Sequence, residues 1–323
     1  MEVDFDNVLI EQFGKLVFER FKVNFAKPHI FVCGGRVDPT CIIPPSFRDR
    51  FLQSSANTAP KIHDAIVLAE NFKDYFKENN YNDLLIFEDE IANIASLVMI
   101  FLESPGSLVE LGMFCSRPNF YKKLLVIAAQ DQIESEDSFI YLGPLEHIKK
   151  QDNSSVLVYP WPSDKDINYD DDYLVDLLGN VEDKLRRSPK TSNFSKENSA
   201  HVALLILEIV RLSYPITISE IEISLAALDL DISEKDIKRH IYLLTKMQLL
   251  SNLFYSSYTY YYPLIKDLKY VSFGKDRNNK ISDSQSMQMS INQSYIMENS
   301  EQARKRKAAK KQINLKLKGT DCG

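Results

Sequence analysis

Residues 95–112 read ASLVMIFLESPGSLVELG, and the turn inside this stretch decides the fold. Ala95–Leu102 is a nearly continuous apolar run with the length of a buried strand. Pro105 then disfavours helix at Ser104, Gly106 permits unusual backbone angles, and SLVELGMFCS resumes with the spacing of a helix. A buried strand that turns tightly into a helix is the repeating unit of a parallel sheet covered on both faces.

The same unit recurs on either side. HIFVCGG (29–35) is an apolar run closed by two glycines, and SFRDRFLQ (46–53) follows it as a helix. DAIVLAENF (64–72) is a second strand with polar residues at its end, and DLLIFEDEIANIA a helix; KLLVIAA (123–129) and SVLVYPW (155–161) are further strands. The prediction is an α/β, Rossmann-like doubly wound parallel sheet, in which ligands sit at the carboxyl ends of the strands. Those ends carry Gly34 and Gly35, Glu70 and Asn71, and Glu103, Ser104, Pro105 and Gly106.

Two readings compete for the carboxylates. Ser107 and Glu110 have the S-x-x-E spacing of a capping box, which places the helix start at Ser107 and Glu110 in the first turn. At the mouth of a ligand crevice, however, a carboxylate can stabilise or attack an electron-poor sugar carbon. Gly34 and Gly35 would let a ribose or phosphate approach the backbone, and Glu70 and Asn71 would hold ribose hydroxyls; a tight turn and helix capping are the simpler roles. Arg48 reads as a solvated helix charge rather than a phosphate ligand.

Composition narrows the class. Of 323 residues, 44% are hydrophobic and 26% charged, as in globular proteins, and the length suits two domains. The acidic start, MEVDFDNVLIEQF, lacks the features of a signal peptide, and no apolar run approaches the ~20 residues of a membrane span, so a cytosolic protein is expected. Four cysteines and five scattered histidines give no metal or disulfide spacing. Residues 1–190 hold 20 Lys and Arg against 31 Asp and Glu, whereas residues 191–323 hold 19 against 14, so the two parts suit different partners.

The predicted organisation is an enzyme-like domain over 1–187, with a first helix within Asn7–Phe21 leaning on it, and a polar linker over 188–199. A domain of three helices and a hairpin over 200–273 has the order of a winged helix-turn-helix, with Ser233–Leu250 as third helix; 274–323 would be a mobile or partner-ordered basic tail. Lys235, Lys238, Arg239, Tyr242 and Lys246 on the third helix suit nucleic-acid phosphates, with Tyr255, Tyr258, Tyr260 and Tyr261 of the ribbon beside them. The basic cluster of the tail, with Arg304, Lys305, Arg306 and Lys307, would attract any polyanion.

IFVCGG, ESPGSLVELG and FIYLGPL, in this order and approximate spacing, resemble the effector proteins encoded beside bacterial retron reverse transcriptases. The resemblance covers roughly residues 28–160. It implies an N-terminal domain like nucleoside 2-deoxyribosyltransferases and related to TIR-type NAD-cleaving domains. It further implies an N-glycosidase acting on NAD or a related nucleotide as substrate, without a cofactor. Glu110, in the ELG element, would be the catalytic carboxylate and Glu103 the second candidate; Glu103 or Glu70 would donate a proton if the leaving base needed one. The implied partners are the retron reverse transcriptase and its multicopy single-stranded DNA joined to RNA, which would restrain an antiphage toxin; oligomerisation is left open. A non-catalytic nucleotide sensor coupled to a DNA-binding regulator, and a base-exchange transferase, stand as alternatives.

Overall fold

The computed structural model describes residues 4–68, 70, 84–134, 139–162, 169 and 171–320. The chain opens with helix α1 (Phe5–Gly14) and strand β1 (Lys22–Asn24), followed by β2 (Ile30–Cys33), α2 (Phe47–Thr58), a single turn α3 (Pro60–His63) and β3 (Ile66–Leu68). Next come α4 (Leu84–Ile94), β4 (Leu97–Phe101), α5 (Pro105–Cys115), β5 (Leu124–Ala129), the short α6 (Gln130–Glu134) and α7 (Glu146–Gln151), β6 (Val156–Tyr159) and α8 (Asp171–Arg187). The remainder holds β7 (Thr191–Asn193), α9 (Ser199–Ser213), α10 (Ile218–Ala227), α11 (Glu234–Lys246), β8 (Leu250–Tyr255), β9 (Tyr258–Pro263), β10 (Val271–Ser272), α12 (Ser284–Met297) and α13 (Glu301–Thr320). These elements fall into two units, divided near Ala26 and Pro189.

In the unit between those points, five strands form one sheet in the order β3-β2-β4-β5-β6, and every neighbouring pair is parallel. The chain moves outward from β2 to β3 and returns past β2 to β4, so the winding reverses between β2 and β4. Crevices for ligands open at such a reversal, beyond the carboxyl ends of the strands. Alternation sets the two faces. Ile30, Val32, Leu97, Met99, Phe101, Leu125 and Ile127 pack with Phe47 and Phe51 of α2 and Leu177 and Val181 of α8. The intervening Phe31, Cys33, Val98 and Ile100 are equally buried, which places them on the opposite face. A sheet buried on both sides explains why the strands lack polar alternation.

The second unit uses both ends of the chain. Strand β1 lies between β7 and β10 and is antiparallel to both, with Lys22 opposite Asn193 and Ser272. Helices α9, α10 and α11 and the antiparallel β8–β9 hairpin follow in the predicted order, and Ile216 bridges Tyr261 on the second hairpin strand. Ile237, Ile241 and Leu244 form the expected inward stripe.

Several expectations about this unit are corrected. The first helix stops at Gly14, and its buried Phe5, Leu9 and Phe13 pack with α10 and α12, so the enzyme-like unit does not begin at residue 1. The polar stretch 188–199 is not a bare linker: Thr191–Asn193 is an edge strand, held by ladder hydrogen bonds that ask little of its side chains. The third helix ends at Lys246, because Gln248 takes a positive φ of 55° before β8 begins. The tail is helical. Met287, Ile291 and Tyr295 of α12 and Ala303, Ala309 and Ile313 of α13 are buried, a stripe thin enough to be hidden among charges in the sequence.

Candidate active site

Two turns meet at the reversal point. The first leaves β2 through Gly34 and Gly35 and enters α2; the second leaves β4 through Glu103 and Ser104 and enters α5. Ser104, not Ser107, caps α5: Ser107 N–H donates to Ser104 Oγ at 3.1 Å, and Ser104 N–H to Ser107 Oγ at 3.1 Å. Pro105 takes the first helical position, where its missing N–H costs nothing. The expected Ser107–Glu110 box is therefore absent and Glu110 sits in the second turn. Gly106 lies inside the helix with room for a side chain, so no unusual backbone angle explains it.

Glu103 builds the turn. Its Oε1 accepts from Gly35 N–H at 3.0 Å and Arg48 N–H at 3.0 Å, and its Oε2 from Phe47 N–H at 2.9 Å. One carboxylate thus caps the start of α2 and pins the glycine loop. Both glycines are required by space: a Cβ on Gly35 would lie 2.8 Å from Glu103 Cδ, and one on Gly34 2.8 Å from Phe101 Cβ. Ser104 Oγ closes the loop by donating to Gly34 C=O at 3.2 Å. Hydrogen bonds to a charged acceptor are worth about 1.5–3 kcal/mol each, so Glu103→Ala is expected to cost at least about 2 kcal/mol in urea unfolding.

Arg48 is buried, 1% exposed, which corrects its reading as a solvated charge. It donates to Gly35 C=O at 3.1 Å and grips Glu70 with both terminal nitrogens, at 2.7 and 2.6 Å. Both Glu70 oxygens are engaged in that pair. Asn71 lies outside the described residues.

Glu110 differs from these carboxylates. Its Oε2 is buried and has no hydrogen-bond partner among the described residues. Burial raises its pKa to about 7; the negative charges of Glu88 and Glu70 add to the rise, while the Cys33 thiol, which hydrogen-bonds with the carboxylate, and Arg48 oppose it. Cys33, fully enclosed at the end of β2, is itself pushed well above the usual thiol range by burial and by Glu110. Glu88 of α4 is buried and also raised, by desolvation. Neither Cys33 nor Glu88 was selected from the sequence. The available signals were a thiol at the close of a buried strand and a carboxylate inside the apolar LLIFEDEIANI.

Gly34, Gly35, Glu103, Ser104, Ser107 and Glu110 are thus brought to the one reversal point, with Pro105 and Gly106 exposed at its rim. Glu103 and Glu70 are tied down by hydrogen bonds, whereas Glu110 Oε2 has no partner among the described residues.

A family model described as the STM3845 retron effector protein matches residues 44–252. The chain belongs to the STM3845 retron effector family. Two Escherichia coli relatives are similar to this retron effector. One, from retron Ec86, is named as a proposed ribosyltransferase/DNA-binding protein and is 33% identical over 129 residues, 40% of this chain and 39% of the relative. The other, from retron Ec73, bears the same description and is 27% identical over 206 residues, 58% of this chain and 64% of the relative. The aligned part is thus less than two thirds of either relative.

The candidate nucleic-acid residues all belong to the other unit, where they differ in exposure. Lys235 and Lys238 are exposed, with Lys238 paired to Glu234 at 2.7 Å, and Arg239 is paired to Asp236 at 2.9 Å. Tyr242 is only 6% exposed and stacks under Lys246, and Tyr260 is wholly buried, so neither can face a nucleic acid. Arg304 is exposed, Lys305 pairs with Glu301 at 2.8 Å, and Lys307 donates to Glu298 C=O at 3.1 Å. Arg306 is a core residue, corrected from a phosphate ligand because Glu220 and the Phe5 ring enclose it. No helix among the described residues is long and apolar enough to cross a membrane.

Proposed function

We propose that this retron effector cleaves an N-glycosidic bond of NAD or a related nucleotide, with Glu110 as the acting carboxylate. The observation that carries the reading is the state of Glu110: half-buried, with its buried Oε2 lacking a hydrogen-bond partner among the described residues, and set beyond the carboxyl ends of β2 and β4. As the bond from sugar to base breaks, its electron pair leaves with the base and positive charge gathers on the anomeric carbon and ring oxygen. A carboxylate at that carbon stabilises the charge or bonds to it, and water then releases the sugar. Nicotinamide departs neutral from a cationic nitrogen and needs no acid. A neutral base needs a proton, and Glu88 is the better donor, because the oxygens of Glu103 and Glu70 are already occupied.

The test is incubation of the purified effector with NAD and a nucleotide panel, following free base by chromatography. Because Glu110 must be ionised to act and burial raises its pKa to about 7, release should fall as pH drops through that value. A rate independent of pH between 5.5 and 8.5, on the order of the span that a shifted carboxylate controls, would exclude Glu110 as the titrating group. The names of the relatives favour a second outcome, base exchange, which added labelled base would reveal by entering the nucleotide faster than water consumes it.

The other unit would engage the retron reverse transcriptase and its DNA and so restrain an antiphage toxin, with a winged-helix-like arrangement of α9–α11 and the hairpin. Of the cations expected from the sequence to meet phosphates, Lys235, Lys238 and Arg304 are exposed.

A further inference from the structure

Helix α13 carries two stripes. Ala303, Arg306, Ala309 and Ile313 face the core, while Lys307, Lys310, Lys311, Leu315 and Lys318 run beside them and line a groove of about 540 Å³ between α12 and α13. Ile296 of α12, 60% exposed, and Leu315, 65% exposed, form apolar walls.

The charge in this groove is uncompensated. None of its four lysines makes an ion pair among the described residues, and no carboxylate lines it. Lys307 donates to Glu298 C=O at 3.1 Å; Lys310 donates to Tyr214 C=O at 3.2 Å and Asn292 Oδ1 at 2.7 Å. Neutral oxygens thus fix the ammonium groups without cancelling their charge. Burial, with Lys266 nearby, lowers Lys310 to about 8, which still leaves it mostly protonated at neutral pH.

We propose that this groove docks an amphipathic helix with acidic flanks, supplied by a partner protein. The lining stripe, from Lys307 to Lys318, rises about 16 Å, the length of three helical turns. Exposed aliphatic walls accept an apolar ridge, and flanking lysines accept carboxylates on either side of it. A single-stranded nucleic acid fits less well, since it gains most from exposed aromatic faces and arginine. The groove offers no arginine, and its one aromatic, Tyr295, is buried. The proposal is independent of the glycosidase reading.

The experiment uses the full chain and fluorescence anisotropy with three labelled probes. These are a designed peptide of about twelve residues with leucines spaced for one helical face and glutamates beside them, a peptide of the same composition in permuted order, and oligothymidylate. Leu315→Ser and Lys311→Glu alter exposed side chains, and melting curves check that both variants fold. The ordered peptide should bind at least about tenfold more tightly than the permuted one, and either substitution should weaken it by about tenfold or more. Equal binding of both peptides, no binding, or indifference to Leu315→Ser would overturn the proposal. So would an oligothymidylate complex that is tighter than the peptide's and is lost with Lys311→Glu alone.

Discussion

Glu110→Gln is expected to lower base release by about a thousandfold or more, equivalent to about 4 kcal/mol of transition-state stabilisation, while leaving the protein folded. Glutamine keeps the size of the side chain and a hydrogen-bonding carbonyl for Cys33, but it cannot carry negative charge or bond to an anomeric carbon. The same substitution has a signature in stability that a carboxylate acting as a helix cap would not produce, since hydrogen bonds to the charged form lower a pKa. Burial raises Glu110 to about 7, against an ordinary 4.5. Between those values the folded protein holds a proton that the unfolded chain has released, so wild-type stability declines as pH rises through this window. Above it, the folded state bears a poorly solvated charge at a cost of up to about 3 kcal/mol. Removing that charge should make Glu110→Gln melt several degrees above wild type at pH 8 and close to it at pH 5. Loss of release together with this divergence at high pH assigns the chemistry to Glu110. Equal release from both proteins would exclude that role, and no release from wild type on any substrate would favour a nucleotide sensor.

Arg306→Met should destabilise the unit that contains it by about 3–5 kcal/mol in urea unfolding, the scale for a buried ion left without its partner. Arg306 pairs with Glu220, which is itself buried in α10, and donates to Pro215 C=O at 2.8 Å. Its guanidinium also lies 3.7 Å from the centre of the Phe5 ring, so one side chain ties α13 to α1 and α10. Glu220 in turn accepts from Thr217 N–H at 2.8 Å and completes the cap of α10. Because the stranded Glu220 charge causes much of the loss, adding Glu220→Gln should recover a substantial part of it. A loss below about 1 kcal/mol would mean that α13 is as dispensable as a solvated tail.

The parallel sheet was legible because each strand is buried on both sides and so spells a nearly pure apolar word. The convergence of Gly34, Gly35, Glu103, Ser104 and Glu110 was legible too, since strand ends in such a sheet share one edge. What escaped the sequence lay across space. Arg48 looks solvated within its helix because its pairing with Glu70 depends on a neighbouring strand. Glu88 and Cys33 become relevant only when the sheet face that buries them is known. The lysine-rich end read as a tail because the carboxylate that buries Arg306 stands 86 residues away.

Strand β1 is paired on one side by β7 and on the other by β10, while everything that encodes the parallel sheet lies between β1 and β7. On the ribosome this imposes a schedule. The five parallel strands and α5, which holds Glu110, are all synthesised by residue 189, but Lys22 must wait for Ser272, some 250 residues later, before its ladder closes. A nascent chain therefore passes through a stage in which the unit with the parallel sheet is fully synthesised and the unit that closes around β1 is still being made.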